Sequence, residues 1–189
     1  MKQIVIFASG SGSNAENIIR FFQNHINIKV VQVLTNNPHA KVIERCKRLN
    51  VNCLIFDRTA FNESYSVLQQ LKDLNPDLIV LAGFLWKIPE SYIELFPNKI
   101  INVHPALLPK YGGKGMYGKH VHQAVIENKE KESGITIHYV NENYDEGAII
   151  FQTKCKVDSL DTPDSLSKKI NALEMAYFPE IINSILTDV

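Results

Sequence analysis

The stretch QIVIFASGSGSN, residues 3–14, decides the fold of this 189-residue chain. Residues 3–8 form the short, nearly continuous apolar run that is typical of a strand buried on both faces of a sheet. The glycine-rich segment after it permits a tight turn, and the amphipathic segment NAENIIRFFQNH, residues 14–25, predicts a helix directly afterwards. A buried strand, a glycine turn and a helix in that order predict an α/β fold built from βαβ units.

The same alternation continues along the first half of the chain. Further apolar runs are IKVVQVLT, VNCLIF and DLIVLAG, residues 28–35, 51–56 and 77–83, and helical segments such as AFNESYSVLQQLKDL, residues 60–74, separate them. Apolar strands that alternate with helices predict a mostly parallel central sheet with helices on both faces.

The pattern changes after the run KIINVH, residues 99–104. Residues 132–157 predict two strands around a short polar turn, and strands joined so closely pair antiparallel. A long helix is predicted from about residue 162 to 186, with Asp161 or Thr162 as its cap. The predicted fold class is a single-domain, Rossmann-like α/β fold with a mostly parallel central sheet, an antiparallel edge near the C-terminus and helices on both faces.

The composition limits the classes of partner. Twenty Lys and Arg balance twenty Asp and Glu, so a formal net charge of zero predicts no broad attraction to nucleic acid or to an anionic membrane. No apolar run approaches the roughly 18 residues of a spanning helix, and the N-terminus lacks the pattern of a signal peptide. Three cysteines without a CxxC pair argue against a disulfide framework. We therefore expect one cytoplasmic domain over residues 1–189, without nucleic-acid or membrane partners.

The glycine loop after the first run predicts an anion site. Unpaired backbone amides and the helix dipole at a helix N-terminus favour a phosphate, and Gly12, Ser13 and Asn14 are placed to hold it. A dinucleotide fingerprint needs a third glycine and an acidic residue after the second strand, whereas Ala15 follows Asn14 and that strand ends in LTNNP. The pattern favours a single phosphate over NAD. The alternative is an ordinary turn with a Ser or Asn cap.

Asn102 and His104 end the fifth apolar run, where IINVHPALLPKYGG, residues 100–113, breaks at prolines and glycines. Residues two apart on a strand face the same side, and ligands of open α/β sheets lie beyond the carboxyl ends of the strands, so this pair shares a cleft with the glycine loop. An imidazole transfers protons near neutral pH and an amide stabilises an oxyanion, as acyl transfer requires. Asp145, chosen from the carboxylates of NENYDEG, is expected to raise the pKa of His104. The alternative is a strand-end histidine and a hairpin aspartate without a common role.

The other histidines predict no metal site. His120 and His122 form an H-x-H pair that does not place both rings on one helix face, and no carboxylate or thiol cluster accompanies them. His138, in GITIHYV, is either a supporting residue of the site or an ordinary strand histidine.

The motifs ASGSGSN, LAGFLWKIP, NVHPALLP and NENYDEG, in this order, resemble those of the folate-dependent formyltransferases, and among them the phosphoribosylglycinamide (glycinamide ribonucleotide) formyltransferases. The resemblance covers essentially the whole chain. It implies transfer of the formyl group of 10-formyltetrahydrofolate, a cosubstrate, to the glycyl amine of glycinamide ribonucleotide in de novo purine biosynthesis. We expect these two small molecules as partners, and a monomer or weak homodimer.

The resemblance also implies roles for individual residues. Asn102 and His104 are expected to hold and protonate a tetrahedral intermediate, Asp145 to keep His104 protonated, and Glu174 to meet the ribose hydroxyls. Residues 1–100 are expected to bind the nucleotide phosphate, and residues 101–189 to complete the folate site. The implied folate-binding residues are Leu85, Trp86, Lys87, Ile88, Asn102, Asn141, Glu142, Asn143 and Tyr144.

The chain departs from the family pattern at three places. Leu-Trp-Lys-Ile at residues 85–88 replaces Met-Arg-Ile-Leu, Ala106 replaces a serine, and the loop at residues 110–120 is unusual. Arg58 and Lys87 are both candidates for contact with the glutamate tail of the folate. Two alternatives stay open: a formyltransferase for another amine, such as an amino-sugar nucleotide, and a nucleotide-binding module without catalysis.

Overall fold

The structure is a computed structural model, and it describes residues 1–187. Its strands are β1 (Lys2–Phe7), β2 (Ile28–Thr35), β3 (Cys53–Ile55), β4 (Leu78–Leu81), β5 (Ile100–His104), β6 (Glu132–Tyr139) and β7 (Ile149–Lys156). Its helices are α1 (Ser13–Phe22), α2 (Val42–Arg48), α3 (Arg58–Asn62), α4 (Ser66–Leu74), α5 (Glu90–Leu95), α6 (Lys119–Glu127) and α7 (Pro163–Thr187).

The strands form one sheet in the order β3-β2-β1-β4-β5-β6-β7. The first five strands are parallel, and β6 pairs antiparallel with both β5 and β7. Alternate residues of β1 enter the cores on the two faces of the sheet: Ile4 and Ile6 on one, Val5 and Phe7 on the other. Burial on both faces explains why the strands are apolar throughout. The predicted fold class is confirmed, including its antiparallel edge.

One predicted helix is divided in the structure, and the C-terminal helix agrees with its prediction. The single helix expected over residues 60–74 is divided into α3 and α4, because Tyr65 takes the left-handed conformation with φ of 55° between them. The C-terminal helix begins and ends within one residue of its predicted bounds. The Thr162 hydroxyl accepts the Ser165 amide at 3.2 Å, so Thr162 caps this helix.

Helix α7, with 25 residues, covers one face of the sheet. Its buried side chains, including Ile170 and Phe178, pack in the same core as Ile18 of α1. This packing brings the middle of α7 beside the glycine loop. Across residues 1–187, no helix has both the length and the apolar character needed to cross a bilayer.

The sheet order determines where a ligand can bind. Strands β1, β4 and β5 are neighbours, so their carboxyl ends meet at one edge of the sheet. The connection from β1 leads to β2 on one side while β4 lies on the other, and such a switch point leaves a crevice beyond the strand ends. The glycine loop follows β1, residues 82–88 follow β4, and His104 ends β5.

Candidate active site

One cleft of about 660 Å³ lies at this edge of the sheet. Its walls come from segments that the sequence keeps far apart. They are the glycine loop at 10–14, the segment 81–88, the end of β5 at 102–105, the loop 113–118, the turn 138–145 and the middle of α7 at 167–174. The predicted phosphate, catalytic and ribose residues therefore border one space.

The glycine loop packs closely against the start of α2. Gly12 has φ of 71°, and a Cβ atom at this position would lie 2.5 Å from Cβ and Cγ2 of Val42. Gly12 immediately precedes α1, and no described residue caps this helix end with a side chain. The alternative of an ordinary Ser or Asn cap is therefore wrong. The first amides of α1 have no partner within the helix and remain available for an anion.

Asn14 links the glycine loop to α7. Its Nδ2 donates a hydrogen bond to Oε2 of Glu174 at 2.8 Å, and its Oδ1 is buried without a hydrogen-bond partner among residues 1–187. Burial raises the pKa of Glu174, although the hydrogen bonds from Asn14 and Asn171 oppose this shift. The side chain predicted to meet a ribose is thus tied to the loop predicted to hold its phosphate.

His104 is almost completely buried, with 3% of its surface exposed, yet it borders the cleft. Its Nε2 lies 2.7 Å from the backbone oxygen of Tyr111, and its Nδ1 lies 3.5 Å from Oδ1 of Asp145. Burial lowers the pKa of His104, and the nearby Asp145 charge only partly offsets this effect. Asp145 raises the pKa of His104 as expected, but desolvation of the ring outweighs the carboxylate and the net shift is downward.

Asp145 occupies the turn between β6 and β7 with φ of 57°. Its Oδ2 accepts the backbone N–H of Gly113 at 2.9 Å, and its Oδ1 lies 3.7 Å from Nε2 of His138. Burial by itself would raise the pKa of Asp145, but His138, His104 and the Gly113 amide outweigh it, so the pKa is lowered. Asp145 is therefore an anion that faces two imidazole rings.

Asn102 and His138 are paired across β5 and β6. They occupy opposite positions in the strand register, and Nδ2 of Asn102 lies 3.2 Å from Nε2 of His138. The other ring nitrogen of His138 lies 2.9 Å from the backbone oxygen of Tyr139, to which it donates a hydrogen bond. His138 thus contacts both Asn102 and Asp145, which the sequence had left open.

The segments expected to bind folate form one end of the cleft. Residues 85–88 face residues 141–145, and Nζ of Lys87 lies 5.7 Å from the ring centroid of Tyr144. Trp86 is half-buried against Phe56 and Phe61, with ring centroids 5.9 and 5.8 Å away. Glu142 borders a smaller groove next to the main cleft, together with Arg58 and Lys87.

The structure shows the surroundings of two of the family departures. Ala106 is fully buried, and its backbone oxygen accepts the Thr136 hydroxyl at 2.7 Å, so this turn is held without a serine side chain. The segment 113–118 contains three glycines with positive φ and lines the cleft.

Sequence reasoning missed the contacts of the Tyr111 oxygen and the Gly113 amide. Both are backbone groups, so residue type gives no direct signal for them; the only hint is the glycine pair after Tyr111. The sequence also gave no reason to assign a role to His122, which is buried beside the cleft. In the described part of the chain, no group of three or more His, Cys, Asp or Glu side chains is arranged to hold a metal ion.

Comparison with known proteins identifies the class. Residues 2–182 match the family described as formyl transferase, and the chain belongs to this family. Its relatives and matching structures include several named phosphoribosylglycinamide formyltransferase. The Bacillus subtilis protein of that name is 32% identical over 98% of this chain and 95% of its own length. The chloroplastic Arabidopsis thaliana protein is 36% identical over 97% of this chain, which spans 65% of that relative.

The solved structures agree with this assignment. The phosphoribosylglycinamide formyltransferase from Bacillus halodurans superposes with a TM-score of 0.89 and 34% identity, covering 98% of this chain and 96% of the other. The glycinamide ribonucleotide transformylase 1 from Symbiobacterium toebii gives a TM-score of 0.87 with 31% identity, covering 96% and 86%.

Proposed function

We propose that this chain transfers the formyl group of 10-formyltetrahydrofolate to the glycyl amine of 5-phosphoribosylglycinamide. The products are N-formylglycinamide ribonucleotide and tetrahydrofolate, in de novo purine biosynthesis. The observation that carries the proposal is the convergence, in one cleft, of an uncapped helix N-terminus, the set Asn102, His104 and Asp145, and an apolar slot. Membership of the formyl transferase family supports the group transferred.

The nucleotide occupies the end of the cleft between the glycine loop and α7. Its phosphate is held by Gly12, Ser13 and Asn14, where backbone amides and the helix dipole favour an anion. Glu174 accepts hydrogen bonds from the ribose hydroxyls while Asn14 keeps its carboxyl group turned toward the loop. The glycyl amine then points toward Asn102 and His104.

The folate occupies the opposite end. Its flat pterin lies between residues 85–88 and 141–144, beside Asn102, where backbone groups read its polar edge. The glutamate tail extends into the adjoining groove, toward Arg58 and Lys87. The formyl group, which is carried on the nitrogen between the pterin end and the benzoyl part of the donor, comes to lie in front of β5. The reaction needs no metal under this proposal.

Positioning of the two reactants supplies much of the rate enhancement, since well-oriented groups contribute about 7–11 kcal/mol. The amine attacks the formyl carbon, and the Asn102 amide stabilises the oxyanion that forms, as does the His104 ring once that ring is protonated. Burial lowers the pKa of His104, which favours a neutral ring that can accept the proton that the amine loses. The ring then delivers a proton to the folate nitrogen as the bond between carbon and that nitrogen breaks.

Asp145 stabilises the imidazolium that exists between these two transfers. Its carboxylate lies 3.5 Å from Nδ1 of His104, close enough to attract the charged ring. His138 keeps both Asn102 and Asp145 in place through its two contacts. The carboxylate therefore acts on the transient charged state more than on the resting histidine.

The test measures absorbance as purified protein converts 10-formyltetrahydrofolate, with and without glycinamide ribonucleotide. Formation of tetrahydrofolate only when the nucleotide is present supports the proposal. Release without the nucleotide indicates a hydrolase. Release with an amino-sugar nucleotide only, or no release at all, contradicts the proposal and favours the other amine or the non-catalytic module.

A further inference from the structure

The turn at residues 110–113 contacts both members of the His104–Asp145 pair. The backbone oxygen of Tyr111 lies 2.7 Å from Nε2 of His104, and the Gly113 N–H donates to Oδ2 of Asp145 at 2.9 Å. Both contacts use backbone groups, so their geometry depends on the conformation of the turn and not on a side chain at either position.

This conformation is strained and needs support. Tyr111 has φ of 57°, a left-handed conformation that is unfavourable for residues with a side chain. The Tyr111 hydroxyl donates to Oε1 of Glu130 at 2.9 Å, and Nζ of Lys110 contacts the same oxygen at 3.0 Å. Glu130 belongs to the connection between α6 and β6, outside the cleft. The phenol therefore anchors the strained turn to a separate part of the fold.

The anchored turn determines where His104 carries its proton. A carbonyl oxygen only accepts hydrogen bonds, so a nitrogen 2.7 Å away must carry a hydrogen atom. Nε2 is then protonated in the neutral ring, and Nδ1 presents its lone pair. Asp145 lies on the Nδ1 side, where it meets a hydrogen atom only when the ring is charged.

We propose that Tyr111 and Glu130 are positioning residues that hold the turn at 110–113 and thereby keep neutral His104 in the Nε2–H form. Nδ1 is the nitrogen that exchanges protons with the substrates. The kinetic part of this inference rests on the proposed formyl transfer, whereas the protonation of the ring can be measured without any substrate.

The direct test is NMR of protein labelled with ¹⁵N-histidine, recorded above the titration of His104. Long-range ¹H–¹⁵N correlations distinguish the two neutral forms, and a His104→Gln spectrum identifies the signals of His104. The wild-type ring should be in the Nε2–H form only. In Tyr111→Phe and in Glu130→Ala the Nδ1–H form should become populated, since the oxygen of residue 111 is no longer held in place.

Kinetics give the second readout. Each variant should lose about tenfold in kcat, the effect of weakening one hydrogen bond around a charged group, with KM for both substrates within about twofold. The double variant should lose no more than Glu130→Ala alone, because that change already breaks the contact with Tyr111. Glu132→Ala is the matched control: its carboxylate pairs with Lys154 at 2.8 Å, and it should leave both readouts unchanged.

An Nδ1–H form in the wild type would overturn the inference. So would variants at Tyr111 and Glu130 that keep the wild-type ring form and kcat. If Tyr111→Phe does not fold, Glu130→Ala tests the same contact from a side chain outside the core. A wild-type protein without formyl transfer refutes the proposed function instead, while the NMR result still decides the role of the turn.

Discussion

Replacement of Gly12 by alanine tests whether the glycine loop is shaped for its ligand. The added Cβ would lie 2.5 Å from Cβ and Cγ2 of Val42 and 2.8 Å from its Cα, so a change of side-chain rotamer cannot relieve the clash. The left-handed backbone costs alanine about 1–2 kcal/mol, and overpacking costs about 1–3 kcal/mol. We expect a loss of about 2–5 kcal/mol in the free energy of unfolding, or a shifted loop.

Under the proposed function, a shifted loop no longer presents its amides to the substrate phosphate. Loss of one hydrogen bond to a charged group corresponds to about a tenfold increase or more in KM for glycinamide ribonucleotide, with KM for the folate unchanged. Denaturant titration and initial-rate kinetics measure the two effects. Gly10→Ala is the control for stability, since a Cβ there meets no described atom within 4 Å. Wild-type unfolding energy together with wild-type nucleotide KM in Gly12→Ala would refute this reasoning.

Three further predictions concern the cleft. Asp145→Asn removes the charge but keeps a residue that tolerates a left-handed φ. Initial rates of this variant and of Asn102→Ala should show kcat reduced about 10²–10³-fold, with unchanged circular dichroism. Near-wild-type turnover in either variant would contradict the role of that residue. Glu174→Gln should raise the nucleotide KM and leave the folate KM unaltered, and the reverse pattern in the same assay would place the nucleotide elsewhere. Burial lowers the pKa of both His104 and His122, so the unfolded chain binds more protons below about pH 6.5 and stability falls as the pH drops through that value. Burial raises the pKa of Glu174, and this shift makes stability rise as the pH falls toward about 4.5. The wild type is therefore compared with His122→Gln, because both proteins contain Glu174. Between about pH 7 and pH 5.5, the His122→Gln variant should lose less stability than the wild type, as measured by thermal unfolding. Identical pH dependence of the two proteins would show that His122 does not contribute.

The sheet was predictable because its strands are buried on both faces. Four runs such as QIVIFA are apolar at nearly every position, and this pattern has few other interpretations when helical segments separate the runs. The division between α3 and α4 was not predictable, because it depends on the left-handed conformation of Tyr65, a residue with no propensity for it. Local sequence therefore specified the layers of the fold better than the bounds of its short helices.

The grouping of the candidate side chains in one cleft was predictable. Asn102 and His104 share a strand face, and Asp145, rather than Glu142 or Glu146, is the turn carboxylate that reaches His104. The net direction of the His104 pKa was not predictable, because it depends on how deeply packing buries the ring. The contacts from Tyr111 and Gly113 were hidden for another reason: they are made by backbone groups, which every residue possesses.

The most direct test of the proposed reaction follows the formyl carbon itself. Purified protein is incubated with 10-formyltetrahydrofolate labelled with ¹³C in its formyl group and with glycinamide ribonucleotide, and the nucleotide is analysed by mass spectrometry and ¹³C NMR. We expect the nucleotide to gain the labelled formyl group on its glycyl nitrogen, at a rate greatly reduced in Asp145→Asn. Label that appears as free formate, or that remains on the folate, would contradict formyl transfer to the glycyl amine.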